Sequence, residues 1–247
     1  MQASHNPPNP RLYDNSYFTI MVATSTFTVE GFAKETKQLI QAADSAEDQQ
    51  AKVKALMSKV YEENTVETIV ETLNAAVSPG ASLAEMILYA DDEVTLLWGQ
   101  IPPRFQSAVH NHTIWANIQP IIGPEKNTLF QEQEDGTLKI TEEFVVEPGS
   151  ILELAPDAIH CIENPSDKPA RAFHVYGGNF KELDDHRDLW NWETEEKIPF
   201  SLPGVMQQSV ARMVASGNVD GLDAVASAIP KIKPMVEKAK EGMVAHP

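Results

Sequence analysis

The strongest constraint on the fold is a series of short apolar segments that fills residues 83–180. These segments are rich in Val, Ile, Leu and aromatic residues, and turn-forming pairs such as Asp135-Gly136 and Pro148-Gly149 separate them. Such a pattern predicts β-strands. Nine strands are predicted: Met86–Ala90, Val94–Gly99, Gln106–His110, Ile114–Ile122, Thr128–Gln133, Leu138–Val146, Ile151–Ala155, Ala158–Glu163 and Ala170–Tyr176. Many short, evenly spaced strands indicate a mainly β fold of the jelly-roll or barrel type.

The sequence before the strands has helical spacing. Residues 1–27 form a predicted loose arm, and apolar stripes over residues 28–82 predict three helices. Thr28 and Ser45 are the expected N-caps of the first two helices, and Asn64 with Glu67 has the pattern of a capping box for the third. Ser78-Pro79-Gly80 is expected to end it.

Residues 181–247 form a predicted C-terminal extension of mixed and helical character that packs on the barrel. Gln207–Ala215 and Leu222–Ala228 are the predicted helices. Pro230 and Pro234 are expected to break the helical pattern that follows.

Composition limits the partners. The formal net charge is −17 and no basic patch is visible, which argues against binding to nucleic acid. No apolar run approaches the roughly 20 residues that cross a bilayer, and no basic n-region of a signal peptide precedes residues 20–29, so a cytoplasmic protein without membrane contact is expected. Cys161 is the single cysteine, so any metal must be held by histidine and carboxylate side chains.

Three histidines in the predicted strands form a candidate metal site. His110 and His112 are two residues apart, so a strand aims both imidazoles to one face. His160 ends another predicted strand, which a barrel can place beside the first. Three imidazoles on one side of a divalent metal leave other coordination positions open. The alternative interpretation is three hydrogen-bonded core histidines.

The motifs around these histidines resemble the cupin superfamily, and within it the cysteine dioxygenase-like (thiol dioxygenase) branch. The resemblance covers roughly residues 86–180 and rests on three motifs, which are His110-Asn111-His112-Thr113 with Gly123 ten residues later, His160-Cys161-Ile162-Glu163-Asn164, and Ala172-Phe173-His174-Val175-Tyr176. Many cupins carry a Glu ligand four or five residues after the second His, where this chain has Ala116 and Asn117. Loss of that Glu is typical of thiol dioxygenases.

The resemblance implies a double-stranded β-helix with iron(II) bound by the three histidines, and it implies catalytic roles for His174 and Tyr176 beside the metal. The chain departs from the branch at Ala172, which replaces a Ser, and at Asn117, where some members have a crosslinking Cys. The arginine that binds the substrate carboxylate in cysteine dioxygenase has no counterpart near Tyr89. Cysteine is therefore a doubtful substrate.

Several other residues lie near the motifs in sequence. Arg104 and Arg171 are interpreted as surface residues, and Trp98 and Trp115 are assigned either to the cavity or to the core. Cys161 is expected to point away from the metal as a small buried side chain.

The predicted function is a non-haem iron(II)-dependent dioxygenase. An anionic small molecule, a thiol or another chelating acid, would bind the iron, and O2 would be incorporated into the product, a sulfinate for a thiol. Two alternatives stay open. One is a cupin enzyme with Mn, Ni or Zn that acts as a lyase, isomerase or non-thiol dioxygenase, and the other is a non-enzymatic cupin that binds a small molecule.

Overall fold

The structure is a computed structural model that describes residues 27–77, 86–180, 182–183 and 186–245. Except for Phe27, the predicted N-terminal arm lies outside the described residues, and so does the predicted break at Ser78-Pro79-Gly80. The described part of the chain comprises N-terminal helices, two β-sheets and C-terminal helices.

Three helices precede the sheets: α1 (Val29–Gln41), α2 (Ala46–Glu63) and α3 (Val66–Ala75). Thr28 and Ser45 are N-caps as predicted, because their hydroxyls accept hydrogen bonds from Gly31 N and Asp48 N. The predicted third cap is wrong. Thr65, and not Asn64, caps α3 by accepting from Thr68 N. The Asn64 side chain instead donates to Val60 O at the end of α2, so two adjacent cap-forming residues serve two different helices.

Eleven strands form two antiparallel sheets in the described residues. They are β1 (Ile87–Ala90), β2 (Thr95–Ile101), β3 (Val109–Asn111), β4 (Ala116–Ile122), β5 (Glu125–Glu132), β6 (Leu138–Val146), β7 (Leu152–Leu154), β8 (Ile159–Glu163), β9 (Ala170–Tyr176), β10 (Asp188–Trp190) and β11 (Lys197–Pro199). The first sheet has the order β1-β2-β9-β4-β7, and the second has β11-β10-β3-β8-β5-β6.

The pairing of the central eight strands is nested. Strand β5 pairs with β6, β4 with β7, β3 with β8 and β2 with β9, all antiparallel. One long two-stranded ribbon is therefore wound into two facing sheets, which is the jelly-roll arrangement. This topology confirms the predicted double-stranded β-helix. Strands β10 and β11 were not predicted, and they extend the second sheet by pairing β10 with β3.

The N-terminal helices pack on the outside of the first sheet. Phe32 of α1 meets Phe173 of β9 edge to face, with 5.1 Å between ring centroids. Trp98 and Trp115 belong to the same core cluster, and the Trp98 indole N–H donates to Asn74 Oδ1 of α3. The two tryptophans are therefore core residues, which settles the alternative left open by the sequence.

The C-terminal extension contains α4 (Leu202–Ala215), α5 (Val219–Ala228), a short 3-10 turn (Pro230–Ile232) and α6 (Lys233–Ala245). The expected break is confirmed at Pro230, since α5 ends at Ala228, but it is wrong at Pro234. Pro230 begins the 3-10 turn, and Pro234 is the second residue of α6. In the first turn of a helix the backbone N–H has no intrahelical acceptor, so the missing proline donor costs little.

A buried arginine attaches α4 to the barrel. Arg212 Nη1 donates to Ser107 O at 2.9 Å and to Ile162 O at 3.2 Å, and Nη2 forms an ion pair with Glu163. Ser209 adds a second link because its hydroxyl accepts from Ala108 N.

Among the described helices, none is both long enough and apolar enough to cross a lipid bilayer.

Candidate metal centre

The three predicted histidines converge inside the barrel. The β3–β8 pairing sets His110 directly opposite His160, and His112 follows just beyond the end of β3. His112 Nε2 lies 3.1 Å from His110 Nε2 and 3.4 Å from His160 Nε2. The ligand atoms of all three residues lie within 4.8 Å of one another.

Hydrogen bonds fix how two of the rings present their nitrogens. His110 Nδ1 lies 3.1 Å from the backbone carbonyl of Ala108, which accepts only, so Nδ1 carries the proton. His160 Nδ1 lies 3.1 Å from Asn127 Oδ1 and is likewise the donor. In the neutral ring the proton at Nδ1 leaves Nε2 with a free lone pair. These two Nε2 lone pairs therefore point to the centre of the cluster.

The spacing suits a bound cation. A metal–nitrogen bond of about 2.1 Å sets two ligand nitrogens roughly 3.0 Å apart at a right angle and roughly 3.4 Å apart at the tetrahedral angle. The two Nε2 separations, 3.1 and 3.4 Å, fall in this interval. Unprotonated nitrogens this close repel each other unless a cation or proton lies between them. The residues present therefore fit a divalent metal.

Burial keeps the imidazoles neutral, which is the state that binds a metal. Desolvation lowers the pKa of His110 to about 4 and lowers the pKa values of His112 and His160 well below the usual range. His112 and His160 are buried, and His110 is half-buried because its ring borders a cavity.

The two predicted catalytic residues lie beside the cluster. His174 and Tyr176 occupy the same face of β9, and His174 Nδ1 is 3.0 Å from the Tyr176 hydroxyl. The Tyr176 ring packs edge-on against His112, with centroids 5.2 Å apart. Desolvation raises the pKa of the Tyr176 phenol and lowers that of His174 to about 3, so both side chains are neutral near pH 7.

A glycine makes room for His174. A Cβ atom at Gly99 of β2 would lie 2.9 Å from His174 Nε2, so any other residue at position 99 would displace the ring. Within the described residues, His174 Nε2 has no hydrogen-bond partner, and both residues border the cavity. His174 is thus held by the hydroxyl of Tyr176 on one side and by the backbone of Gly99, which has no side chain, on the other.

Sequence reasoning missed two polar residues that support His160. Asn127 Nδ2 donates to Glu125 Oε1 at 2.9 Å, and this bond orients Asn127 Oδ1 toward the His160 ring. Glu125 is only 1% exposed, and desolvation raises its pKa to about 7. The prediction placed the strand start at Thr128, but β5 begins at Glu125. The alternation of Glu125 and Asn127 on one face was the available signal.

Arg187 is the second missed feature. It lies in a charged stretch next to exposed His186, yet it is buried, and its guanidinium lies between the rings of Phe180 and Phe200 at 3.8 and 3.6 Å from their centroids. Its positive charge acts on His110 and lowers the pKa of that imidazole further.

Other residues from the sequence analysis lie away from the cavity. Exposed Arg104 donates to Pro165 O, and Arg171 donates to Asn74 Oδ1 on the helical side of the first sheet. Cys161 is buried in a cluster with Val109 and Trp190, on the opposite strand face from His160, as expected.

Comparisons with known proteins give fold resemblances alone. No family model matches the sequence, and no curated protein matches it. Among solved structures, an RmlC-like cupin from Methanocaldococcus jannaschii is 20% identical, and the match covers 39% of this chain and 81% of that one at a TM-score of 0.33. A double-stranded β-helix protein from Klebsiella pneumoniae is 17% identical, with 43% and 82% covered and a TM-score of 0.32.

Hydroquinone 1,2-dioxygenase from Sphingomonas sp. is 9% identical, and the match covers 38% of this chain and 64% of that chain at a TM-score of 0.33. The descriptions of these neighbours name a cupin, a double-stranded β-helix protein and a dioxygenase, and their identities and TM-scores assign no activity to this chain. The nested strand pairing identifies the fold, and the converging imidazoles identify a candidate metal centre.

Proposed function

We propose that this protein is a non-haem iron(II)-dependent dioxygenase that acts on a small anionic chelating substrate, with a thiol as the leading candidate. The observation that supports the proposal is the convergence of three neutral imidazole nitrogens at the wall of a cavity, with no carboxylate among the described residues of this cluster. A neutral ligand set leaves the +2 charge of a metal uncompensated, so an anionic substrate is favoured at the remaining positions.

A bound iron(II) would supply open coordination positions for substrate and O2, and both oxygen atoms would enter the product, so that a thiolate and O2 together give a sulfinate. In this proposal His110, His112 and His160 hold the metal. Asn127 keeps the His160 proton on Nδ1, which directs Nε2 to the metal.

Of the two predicted catalytic residues, Tyr176 acts on the substrate in this proposal and His174 positions Tyr176. The Tyr176 phenol stays protonated at neutral pH because burial raises its pKa, so it can donate a hydrogen bond toward the substrate. His174 Nδ1 holds the phenol oxygen from the other side. The buried guanidinium of Arg187 lies at the same end of the cavity.

Metal analysis combined with oxygen uptake tests the proposal. We expect near-stoichiometric iron in protein reconstituted under argon, and O2 consumption only when a thiol or another chelating acid is added. His112→Ala should abolish iron loading, whereas the matched variant His186→Ala, at an exposed histidine outside the cluster, should load normally. Unchanged loading of His112→Ala would show that the ligand assignment is wrong.

The metal and the reaction are tested separately. Bound manganese or zinc together with turnover that needs no O2 would contradict the dioxygenase and indicate a lyase or isomerase. Failure to bind any divalent metal after reconstitution would contradict an enzyme of this type. Tyr176→Phe should lower the turnover number with the true substrate while iron loading stays intact, and unchanged turnover would remove Tyr176 from the proposed chemistry.

A further inference from the structure

The C-terminal extension forms one wall of the cavity beside the metal centre. The cavity has a volume of about 160 Å³, and His110 and His112 border it. Val205 and Met206 of α4 and Val225 of α5 border it too, although α4 and α5 follow the barrel strands in sequence. We call these three residues the C-terminal wall. Arg212 ties α4 to the barrel, so the wall has a fixed position.

The two ends of the cavity differ in polarity. Away from the histidines, its surface consists mainly of Leu, Ile, Val, Met and Phe side chains, including Phe105 and Ile229 in addition to the C-terminal wall. Arg187 is the one charged side chain among the described residues that border the cavity, and its charge acts at the His110 and His112 end. The histidines and the charged side chain therefore lie at one end of the cavity, and the surface elsewhere is mainly apolar.

This distribution disfavours a zwitterionic substrate. The ammonium group of an amino acid would lie against apolar side chains or close to the guanidinium of Arg187, and a buried ion without a partner is strongly unfavourable. A ligand with one anionic group and an apolar body has no such conflict. Its anionic group meets the metal, and its body meets the C-terminal wall.

The cavity volume limits the size of the apolar part of the substrate. An apolar protein cavity of about 150 Å³ holds one benzene molecule. The cavity here, about 160 Å³, therefore has room for a single ring or a short alkyl chain.

We propose that the C-terminal wall is the specificity surface of the site and that the substrate is a small monoanionic metal ligand with one apolar group of about phenyl size, such as an arylalkyl or short-chain alkyl thiolate. This proposal rests on the proposed function for the metal-binding end of the ligand. The structure places Met206 at the cavity and Met235 in the same cluster of C-terminal hydrophobic residues but away from the cavity. Two methionines of one cluster thus provide a test position and a matched control.

Calorimetric titration of zinc-loaded protein with benzyl mercaptan and with L-cysteine tests the proposal without oxygen chemistry. Burial of a phenyl-sized group gives an expected preference of about 10- to 100-fold for benzyl mercaptan. Met206→Trp, which fills the cavity, should lower the affinity for benzyl mercaptan at least 10-fold, and Met235→Trp should leave it unchanged. If Met206→Trp does not fold, Met206→Ala should shift the preference toward the longer 2-phenylethanethiol.

Equal or tighter binding of L-cysteine would overturn the proposal, and so would equal effects of substitution at Met206 and Met235. The test of the C-terminal wall can fail or succeed independently of the test of the proposed dioxygenase. Tight binding of benzyl mercaptan to the zinc protein, with no O2 uptake by the iron protein, would retain the C-terminal wall and refute the dioxygenase. Iron-dependent O2 uptake with cysteine alone would support the dioxygenase and refute the proposed role of the C-terminal wall.

Discussion

Glu125 gives the protein an unusual dependence of stability on pH. Its carboxyl is buried, and desolvation raises its pKa from 4.5 to about 7. Between these two pH values the folded state holds a proton that the unfolded state has released, so the contribution of Glu125 to the free energy of unfolding falls as pH rises. The slope is about 1.36 kcal/mol per pH unit, which amounts to about 3 kcal/mol over the whole interval. That loss is complete above pH 7.

Glu125→Gln should remove this loss, because a Gln side chain keeps an oxygen for the Asn127 donor and does not ionise. In metal-free protein with a chelator present, urea unfolding should give similar stabilities for variant and wild type at pH 4.5, with the variant up to about 3 kcal/mol more stable at pH 8. Glu142→Gln, on the exposed face of β6, controls for the loss of one charge. A difference for Glu125→Gln that does not change with pH would refute the reasoning.

Two further predictions concern the buried charges. In metal-free protein, folding lowers the pKa of His110 to about 4 and of His174 to about 3, so the unfolded chain takes up protons first as the pH drops. Each of these two histidines should therefore lower the free energy of unfolding by about 1.36 kcal/mol per pH unit as the pH drops from 6.5 toward 4, in opposition to the contribution of Glu125. Urea unfolding of His174→Gln should show a pH slope that lacks this one contribution, and a slope equal to that of the wild type would contradict the prediction. Arg212→Met should cost about 3–5 kcal/mol in urea unfolding, because Glu163 is left partly buried without its partner and the carbonyls of Ser107 and Ile162 lose a donor. The double variant with Glu163→Gln should restore the part of the loss that comes from the ion pair, whereas purely additive losses would show that the ion pair is not the cause.

The sequence was informative wherever a local pattern decides the structure. Strand alternation located most of the barrel, and the two-residue spacing of His110 and His112 set both rings on one face. The pairing of these residues with His160 required a topology that spacing alone does not determine. The resemblance to the cupin superfamily provided that topology.

The errors occurred at positions where composition or a single proline suggested a loop, a turn or a helix break. Arg187 lies in a charged stretch typical of a surface loop, and it is buried because Phe180 and Phe200 enclose its guanidinium. Glu125 follows Pro124, which suggested a turn, although β5 already begins there. Pro234 suggested a helix break, but its position in the first turn of α6 is compatible with a helix.

The nested strand pairing also has a consequence for the time course of folding. The β5–β6 hairpin joins residues close in sequence, whereas β4–β7, β3–β8 and β2–β9 close successively longer loops. Because loop closure costs more entropy as loops lengthen, we expect the ribbon to wind outward from that hairpin. His110 and His160 meet only when β3 joins β8, so a newly made chain has no complete metal site until the barrel is nearly wound. Metal supply would then stabilise the finished barrel by mass action without speeding its formation.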